Sequence, residues 1–158
     1  MKHWMVCAGL VVLGLAAPGC ATANSTAEEG FQPLFDGKSL AGWKAADMTH
    51  WSVEDGAITG KITPELPLAE NLYLIWQGGE LKDFELKLQH RVFGAKEINC
   101  GFQFRSREMD NHDVAGYQVD NNLDTDWLVR LYDEHGRHTL AWRGEKTGFD
   151  EKGAPTTT

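Results

Sequence analysis

Polar side chains recur at every second position in three short stretches of this sequence, between residues 98 and 134. Successive side chains of a β-strand point to opposite faces of a sheet, so each stretch places its polar residues together on one face. Applied to all three stretches, this rule gathers Gln103, Arg105, Gln118, Asp120, Arg130, Tyr132 and Glu134. If the strands are neighbours, these residues form a surface rich in hydrogen-bonding groups. The alternative is the ordinary solvated face of an antiparallel sheet.

The three stretches belong to a longer series of strand-like segments. Alternation predicts strands over 71–77, 84–93, 98–105, 116–120, 127–133 and 138–143. Two further segments flank the pair Asp55-Gly56, which favours a tight hairpin turn because glycine tolerates a positive φ. The tail from residue 144 has neither a strand nor a helix pattern. No segment has a sustained helical period, so we predict an all-β antiparallel sandwich.

The composition is that of a globular protein, with 158 residues, of which 42% are hydrophobic and 24% are charged. The net charge of −8 argues against nucleic acid or an anionic lipid surface as a partner, because both require a basic surface. Six Trp, seven Phe and 17 Gly suit a protein of strands and turns. Aromatic residues also suit sugar binding, in which a ring stacks on the apolar face of a pyranose.

The N-terminal segment reads as a secretory leader. Lys2 supplies a positive charge, and residues 6–17 form an apolar run that is too short to span a membrane. The run ends in Ala-Ala-Pro-Gly-Cys, which resembles the lipobox of bacterial lipoproteins. We therefore predict a signal peptide over 1–19, lipidation of Cys20 and a polar tether over 20–30. Cleavage after Ala23 and an uncleaved anchor are the alternatives.

This leader predicts an exported protein, located in the periplasm or held at the outer membrane only by its N-terminal lipid. Cys7 lies in the leader and Cys20 is the lipid site, so Cys100 is the one thiol left for the folded domain. An internal disulfide is then excluded. The apolar neighbours of Cys100 along its strand predict a buried, inert thiol rather than a nucleophile.

No motif in the sequence requires a cofactor, and we expect none. One loop is rich in the oxygen ligands that Ca²⁺ prefers, namely Asp120, Asn121, Asn122, Asp124 and Asp126. Its spacing is not that of an EF-hand, and a solvated acidic loop is the alternative. His135 and His138 lack the pattern of a zinc site. A divalent cation remains the alternative to a cofactor-free site.

Several of these segments together resemble a single bacterial family. They are Leu34-Phe35-Asp36-Gly37-Lys38-Ser39-Leu40-Ala41-Gly42-Trp43, Trp51 with Asp55-Gly56, Asp83-Phe84-Glu85-Leu86, Asn99-Cys100-Gly101-Phe102-Gln103-Phe104-Arg105, and Gly116-Tyr117-Gln118-Val119-Asp120. The family was long called a domain of unknown function and is now named for 3-keto-disaccharide hydrolases. The later Leu131-Tyr132-Asp133-Glu134 with Gly136-Arg137 is similar to a branch abundant in planctomycetes.

The resemblance implies a jelly-roll β-sandwich, similar to concanavalin A and to laminarinase-like glycosidases, with the substrate groove on the concave sheet. The motifs run in order from Leu34 to Trp142, and we assign the domain to 31–158. The closing strands that usually follow in the family are not recognised. We therefore expect a sandwich that is incomplete at its C-terminus.

The resemblance also implies hydrolysis of the glycosidic bond of a 3-keto-glycoside or 3-keto-disaccharide. The ketone acidifies the C2 proton, so a base can remove it, the enolate can expel the C1 substituent, and water can add. For these steps the sequence offers Asp120 or Glu134 as base, Arg105 as oxyanion clamp and Tyr132 as acid. Substrate-binding groups would be Gln103, Gln118 and Arg130.

The implied partners are a carbohydrate substrate and an upstream sugar 3-oxidoreductase that supplies the ketone. A glycan-binding module that uses the same face without chemistry, or an inactive fragment, is the main alternative. Direct hydrolysis by paired carboxylates is a further one. The sequence lacks the E-x-D-x-x-E pattern of laminarinase-type enzymes, which argues against it.

Overall fold

The computed structural model describes residues 5–8, 30–95, 98–123 and 126–158. In chain order its strands are β1 (Met5–Ala8), β2 (Trp43–Lys44), β3 (Trp51–Glu54), β4 (Ala57–Ile62), β5 (Ile75–Trp76), β6 (Arg91–Gly94), β7 (Gly101–Glu108), β8 (Val114–Asp120), β9 (Leu131–Glu134), β10 (His138–Ala141), β11 (Thr147–Phe149) and β12 (Pro155–Thr157). Apart from a 3-10 turn at Met48–His50, the described ranges contain no helix, and none that could cross a membrane. The predicted all-β antiparallel jelly-roll class is confirmed.

One four-stranded sheet has the order β3-β4-β1-β6. Its β3–β4 hairpin turns at Asp55 and Gly56, whose φ angles of 50° and 76° match the positive values that a two-residue hairpin turn requires. The hairpin prediction is confirmed. The strand β1 belongs to the predicted leader and pairs with β4 and β6. Cys20 and the rest of the leader lie outside the described residues, so lipidation and export stay predictions.

The second four-stranded sheet, with the order β10-β9-β8-β7, holds the polar residues of interest. Its register pairs Gln103 with Gln118, and Gln118 with Tyr132, so the three side chains form one row across β7, β8 and β9. A β-bulge interrupts the β7–β8 register between Phe104 and Arg107. The strands predicted over 98–105, 116–120 and 127–133 therefore correspond to β7, β8 and β9 and lie side by side. Their ends differ from the predicted ones by a few residues.

The longest alternating segment, 84–93, is the clearest error of the sequence prediction. Only Arg91–Gly94 forms a strand, and Phe84 and Leu86 are 41% and 45% exposed. This part of the chain instead borders a 720 Å³ groove along the apolar side of β7, where Phe102 and Phe104 also lie. Alternation predicts which side chains share a face, but it does not predict which strand lies beside the segment. The one part that does form a strand, β6, pairs with β1 in the other sheet.

Two smaller corrections concern the ends of predicted elements. Of the predicted strand over 71–77, only β5 forms, and it pairs with β2. The tail, which has no sequence pattern, forms the β11–β12 hairpin. Arg137 fastens this hairpin, because its guanidinium donates to the Gly153 carbonyl at 3.2 Å and to the Asp133 carboxylate at 2.9 Å.

Replacement of Gly116 at the bulge should destabilise the fold. Its φ is +154°, and an added Cβ would lie 2.4 Å from the Ser106 Oγ and 2.7 Å from the Ser106 Cα. We expect Gly116→Ala to lower the free energy of unfolding by about 1–3 kcal/mol, measured by urea denaturation. Gly148→Ala is the control, since its nearest neighbour is the Thr156 Oγ1 at 3.3 Å. Equal stability of the two variants would contradict this prediction.

Candidate functional site

The polar face of the second sheet is organised around a buried ion pair. Arg130 Nε donates to Asp120 Oδ2 at 2.7 Å, and the two residues are only 4% and 1% exposed. The other carboxylate oxygen, Asp120 Oδ1, accepts a hydrogen bond from Gln118 Nε2 at 2.7 Å. Both oxygens of Asp120 are thus engaged inside the sheet. This arrangement makes Asp120 a poor candidate for a base that must reach a ligand.

The ion pair continues into a chain of hydrogen bonds across the sheet. Gln103 Nε2 donates to Gln118 Oε1 at 3.4 Å, and Ser106 Oγ donates to Gln103 Oε1 at 3.2 Å. On the other side, Arg130 Nη1 donates to Thr139 Oγ1 at 3.2 Å. The predicted substrate-binding residues are therefore brought together, namely Gln103, Gln118 and Arg130. Their side chains mainly form hydrogen bonds within this network, which includes Asp120.

The bulge overturns the expectation that Arg105 shares the face of Gln103. Arg105 is the extra residue of the bulge, with a φ of 50°, and Ser106 takes the next position on that face. The Arg105 guanidinium instead donates to the Lys82 carbonyl at 2.9 Å and lies 4.0 Å from the Asp83 carboxylate. A bulge inserts one residue and so breaks the period of two on which the prediction was based.

The bulge also places Arg105 in a cleft with another predicted residue, Glu134. The cleft has a volume of 480 Å³ and is open to solvent. Its lining is Arg105, Ser106, Arg107, Ala115, Gly116, Tyr117, Asp133, Glu134 and His135. We call it the bulge cleft. The lining residues include two arginines, two acidic residues and a histidine, whereas Asp120 and Tyr132 are not among them.

Glu134 is a carboxyl group of the bulge cleft with a raised pKa. Burial raises its pKa above the ordinary value, His135 opposes this, and the negative charges of Asp113 and Asp120 raise it further. Half-burial among like charges therefore favours the protonated form. Perturbed carboxyl groups of this kind are enriched in catalytic sites, because a base works best with a pKa close to the operating pH.

Beside Glu134 lies a hydrogen-bonded cluster that the sequence did not reveal. His135 Nε2 and Asp113 Oδ2 are 2.7 Å apart. Burial opposes ionisation of Asp113, yet its hydrogen bonds with the Val114 N–H, His135 and Tyr73 hold its pKa below the usual range. Burial, followed by the charges of Asp113 and Glu134, raises the pKa of Tyr73, which therefore keeps its proton. Tyr73 is forty residues from Asp113, so no local pattern links them.

The remaining predicted residue, Tyr132, lies on the polar face two positions before Glu134 in β9. Its hydroxyl is 2.9 Å from His138 Nδ1. This pairing gives the phenol a proton-exchange partner across the β9–β10 turn. The sequence spacing of Tyr132 and His138 did not predict this contact. His138 adopts a φ of 66° at the start of β10, which departs from regular strand geometry.

Metal-binding and thiol predictions have different outcomes. Among the described residues, no three His, Cys, Asp or Glu side chains are grouped so as to hold a metal ion. Asp124 of the candidate calcium loop lies outside those residues, so that hypothesis stays a prediction. Cys100 is only half-buried, which corrects the predicted burial, and its thiol donates to the Asn121 carbonyl at 2.8 Å, which links the start of β7 to the end of β8.

The Asp120–Arg130 pair should be essential for stability. We expect Asp120→Asn to lower the free energy of unfolding by about 3–5 kcal/mol, because it leaves the buried Arg130 charge unpaired. Glu54→Gln is the matched control, since its ion pair with Lys61 is 41–44% exposed and should contribute less than about 1 kcal/mol. Urea denaturation measures both. A loss for Asp120→Asn no larger than the control's would refute the structural role.

Comparison with known proteins supports a single assignment. No curated protein and no solved structure matched the chain. A family model described as a 3-keto-alpha-glucoside-1,2-lyase-like domain matches residues 30–153, which include the bulge cleft and every strand from β2 to β11. The resemblance noted in the sequence motifs is thereby confirmed. The chain belongs to the 3-keto-alpha-glucoside-1,2-lyase-like domain family.

Proposed function

We propose that the protein cleaves the glycosidic bond of 3-keto-glycosides or 3-keto-disaccharides by removal of the C2 proton, elimination of the C1 substituent and addition of water. Family membership supports this class of substrate. The observation that carries the proposal is Glu134, a carboxyl group with a raised pKa that lines a cleft together with two arginines. An acid–base group beside fixed cations is what an enolate-forming reaction requires.

Glu134 is proposed as the base in preference to Asp120. Asp120 is 1% exposed, and its two oxygens already accept hydrogen bonds from Gln118 and Arg130, so it is poorly placed to reach a substrate proton. Glu134 lines the cleft, and its raised pKa makes it a stronger base than an ordinary glutamate. After elimination, the same group can return the proton to C2 when water adds to C1.

Arg105 and Arg107 are proposed to stabilise the enolate oxygen that forms from the C3 ketone. Both line the bulge cleft with Glu134. Arg105 is positioned by its contacts with Lys82 and Asp83. Cations held in place before the reaction stabilise developing negative charge without reorganising. Bulges are often found next to active sites, where they redirect side chains as this one does.

Tyr132 is proposed to protonate the departing oxygen at C1. It is two positions from Glu134 on the same strand, so its side chain projects from the same face about 7 Å away. C1 and C2 are adjacent atoms, so the base at the C2 proton and the acid at the oxygen on C1 must both lie close to the C1–C2 bond. His138, 2.9 Å from the Tyr132 hydroxyl, can restore the proton that Tyr132 gives up.

The remaining parts of the proposal concern supply and location. Elimination of the C1 substituent followed by addition of water is a hydrolysis with no net oxidation or reduction, so we propose no redox cofactor and assign the oxidation at C3 to a separate sugar 3-oxidoreductase. Export through the leader, with Cys20 as lipid anchor, would place the protein in the periplasm or at the outer membrane.

A glycan-binding module is the second candidate, because the buried hydrogen-bond chain of the polar face is compatible with binding alone. Incubation of the purified protein with methyl 3-keto-α-glucoside and with methyl α-glucoside separates the possibilities. Cleavage of the keto form alone supports the proposal, and cleavage of both indicates direct hydrolysis. Binding without cleavage of either favours the module.

Glu134→Gln tests the proposed base. We expect turnover of methyl 3-keto-α-glucoside to fall by about 10²- to 10⁴-fold, because the amide cannot accept the C2 proton. The control is Glu151→Gln in the exposed turn between β11 and β12, which should keep full activity. Full turnover by Glu134→Gln would exclude Glu134 as the base.

The same residue predicts a pH effect on stability. The folded-state pKa of Glu134 is raised, so the folded protein binds more protons than the unfolded chain between the ordinary glutamate pKa and the raised value. Stability should therefore fall as the pH increases through this window. We expect Glu134→Gln to weaken that pH dependence and to raise the melting temperature at neutral pH. A melting temperature below that of the parent protein would contradict this prediction.

A further inference from the structure

Two exposed tryptophans stand at the end of the polar face opposite the bulge cleft. Trp127 and Trp142 are 39% and 42% exposed, and their rings meet edge to face with centroids 6.4 Å apart. Large aromatic rings bury much apolar surface when they join a core. These two remain open to solvent instead, on the surface that carries the predicted sugar-binding groups.

The buried ion pair supports this tryptophan pair. The Arg130 guanidinium lies 3.3 Å from the Trp127 ring centroid and 5.4 Å from that of Trp142. Because Asp120 fixes Arg130, the cation stacks on one side of Trp127 and restrains the ring. A restrained ring loses little conformational entropy when it binds a ligand.

The order of residues along β9 relates the tryptophans to the proposed chemistry. Tyr132 and Glu134 lie at alternate positions of β9 and so point to one face, and Arg130, just before the strand, lies 4.6 Å from the Tyr132 ring centroid on that face. At about 3.3 Å per residue, Arg130 and Glu134 are roughly 13 Å apart, which exceeds the length of one pyranose ring. A substrate with C2 at Glu134 and its glycosidic oxygen at Tyr132 would direct its leaving group toward Trp127.

We propose that Trp127 and Trp142 form a stacking subsite for a sugar ring in the leaving group, so that the preferred substrate is a 3-keto-disaccharide or longer glycan rather than a glycoside of a small alcohol. The inference rests on the proposed function for its direction along β9. The apolar face of a pyranose suits the exposed tryptophan face, and its hydroxyl groups suit the polar residues beside it.

A structural role alone would give a different result. If Trp127 only shields the Asp120–Arg130 pair from water, leucine at this position would still shield most of the pair. The substitution would then affect all substrates equally. A stacking subsite would respond only to substrates that possess the second ring. The ratio between two substrates therefore separates the two roles, even where a variant loses some stability.

The kinetic experiment compares 3-keto-maltose with methyl 3-keto-α-glucoside on the full chain. We expect Trp127→Leu to raise KM for 3-keto-maltose about tenfold, equivalent to about 1.4 kcal/mol, and to leave KM for the methyl glucoside unchanged. Trp127→Phe should lose less, because it retains a ring. Phe93→Leu is the control, since Phe93 is 47% exposed and stacked with Arg91, but lies in the other sheet. Equal changes for both substrates would overturn the proposal.

A binding experiment makes the result independent of turnover. The indole N–H signals of Trp127 and Trp142 can be assigned by NMR from the signals lost in Trp127→Phe and Trp142→Phe. Titration with maltose, which lacks the ketone, should shift both signals, whereas methyl α-glucoside should not. Unmoved signals would overturn the subsite. Shifted signals without cleavage of any keto-glycoside would retain the subsite and reject the catalytic proposal.

Discussion

The ion pair between Asp120 and Arg130 is the interaction on which the second sheet depends. Backbone hydrogen bonds reinforce the pair, since the Asp120 N–H donates to the Arg130 carbonyl at 2.9 Å and the N–H of the preceding Val129 donates to the Asp120 carbonyl at 2.9 Å. Side chain and backbone thus join the end of β8 to the start of β9. Two buried charges are tolerated here because each oxygen of the carboxylate has a donor.

This constraint divides the predicted site residues into two groups. Asp120, Gln118 and Gln103 satisfy one another inside the sheet, and the network positions the aromatic residues around Arg130. Glu134 lies on the neighbouring strand β9, where burial raises its pKa, His135 and His138 lower it, and no arginine is among the main influences. One carboxylate is therefore engaged within the sheet, while the other lines the bulge cleft. Their different surroundings, rather than their residue type, decide which of them is open to a ligand.

Alternation predicted the second sheet well because its central row obeys a strict period of two. Gln103, Gln118 and Tyr132 were expected on one face, and the register places them in one row. The prediction failed where the period breaks, at the bulge that displaces Arg105. It also failed for 84–93, because pairing depends on a distant partner that alternation does not encode. Tyr73 was missed for the same reason, since only the folded chain brings it to Asp113.

The electrostatics of the bulge cleft explain how a carboxyl with a raised pKa can coexist with two arginines. A guanidinium paired directly with Glu134 would lower its pKa. Burial and the neighbouring aspartates dominate instead, and Arg105 contacts the Lys82 carbonyl and lies near Asp83. The cations therefore line the cleft without neutralising the proposed base. In the proposed mechanism, this arrangement would keep the proton acceptor and the anion stabiliser separate until a substrate binds to both, as the formation of an enolate requires.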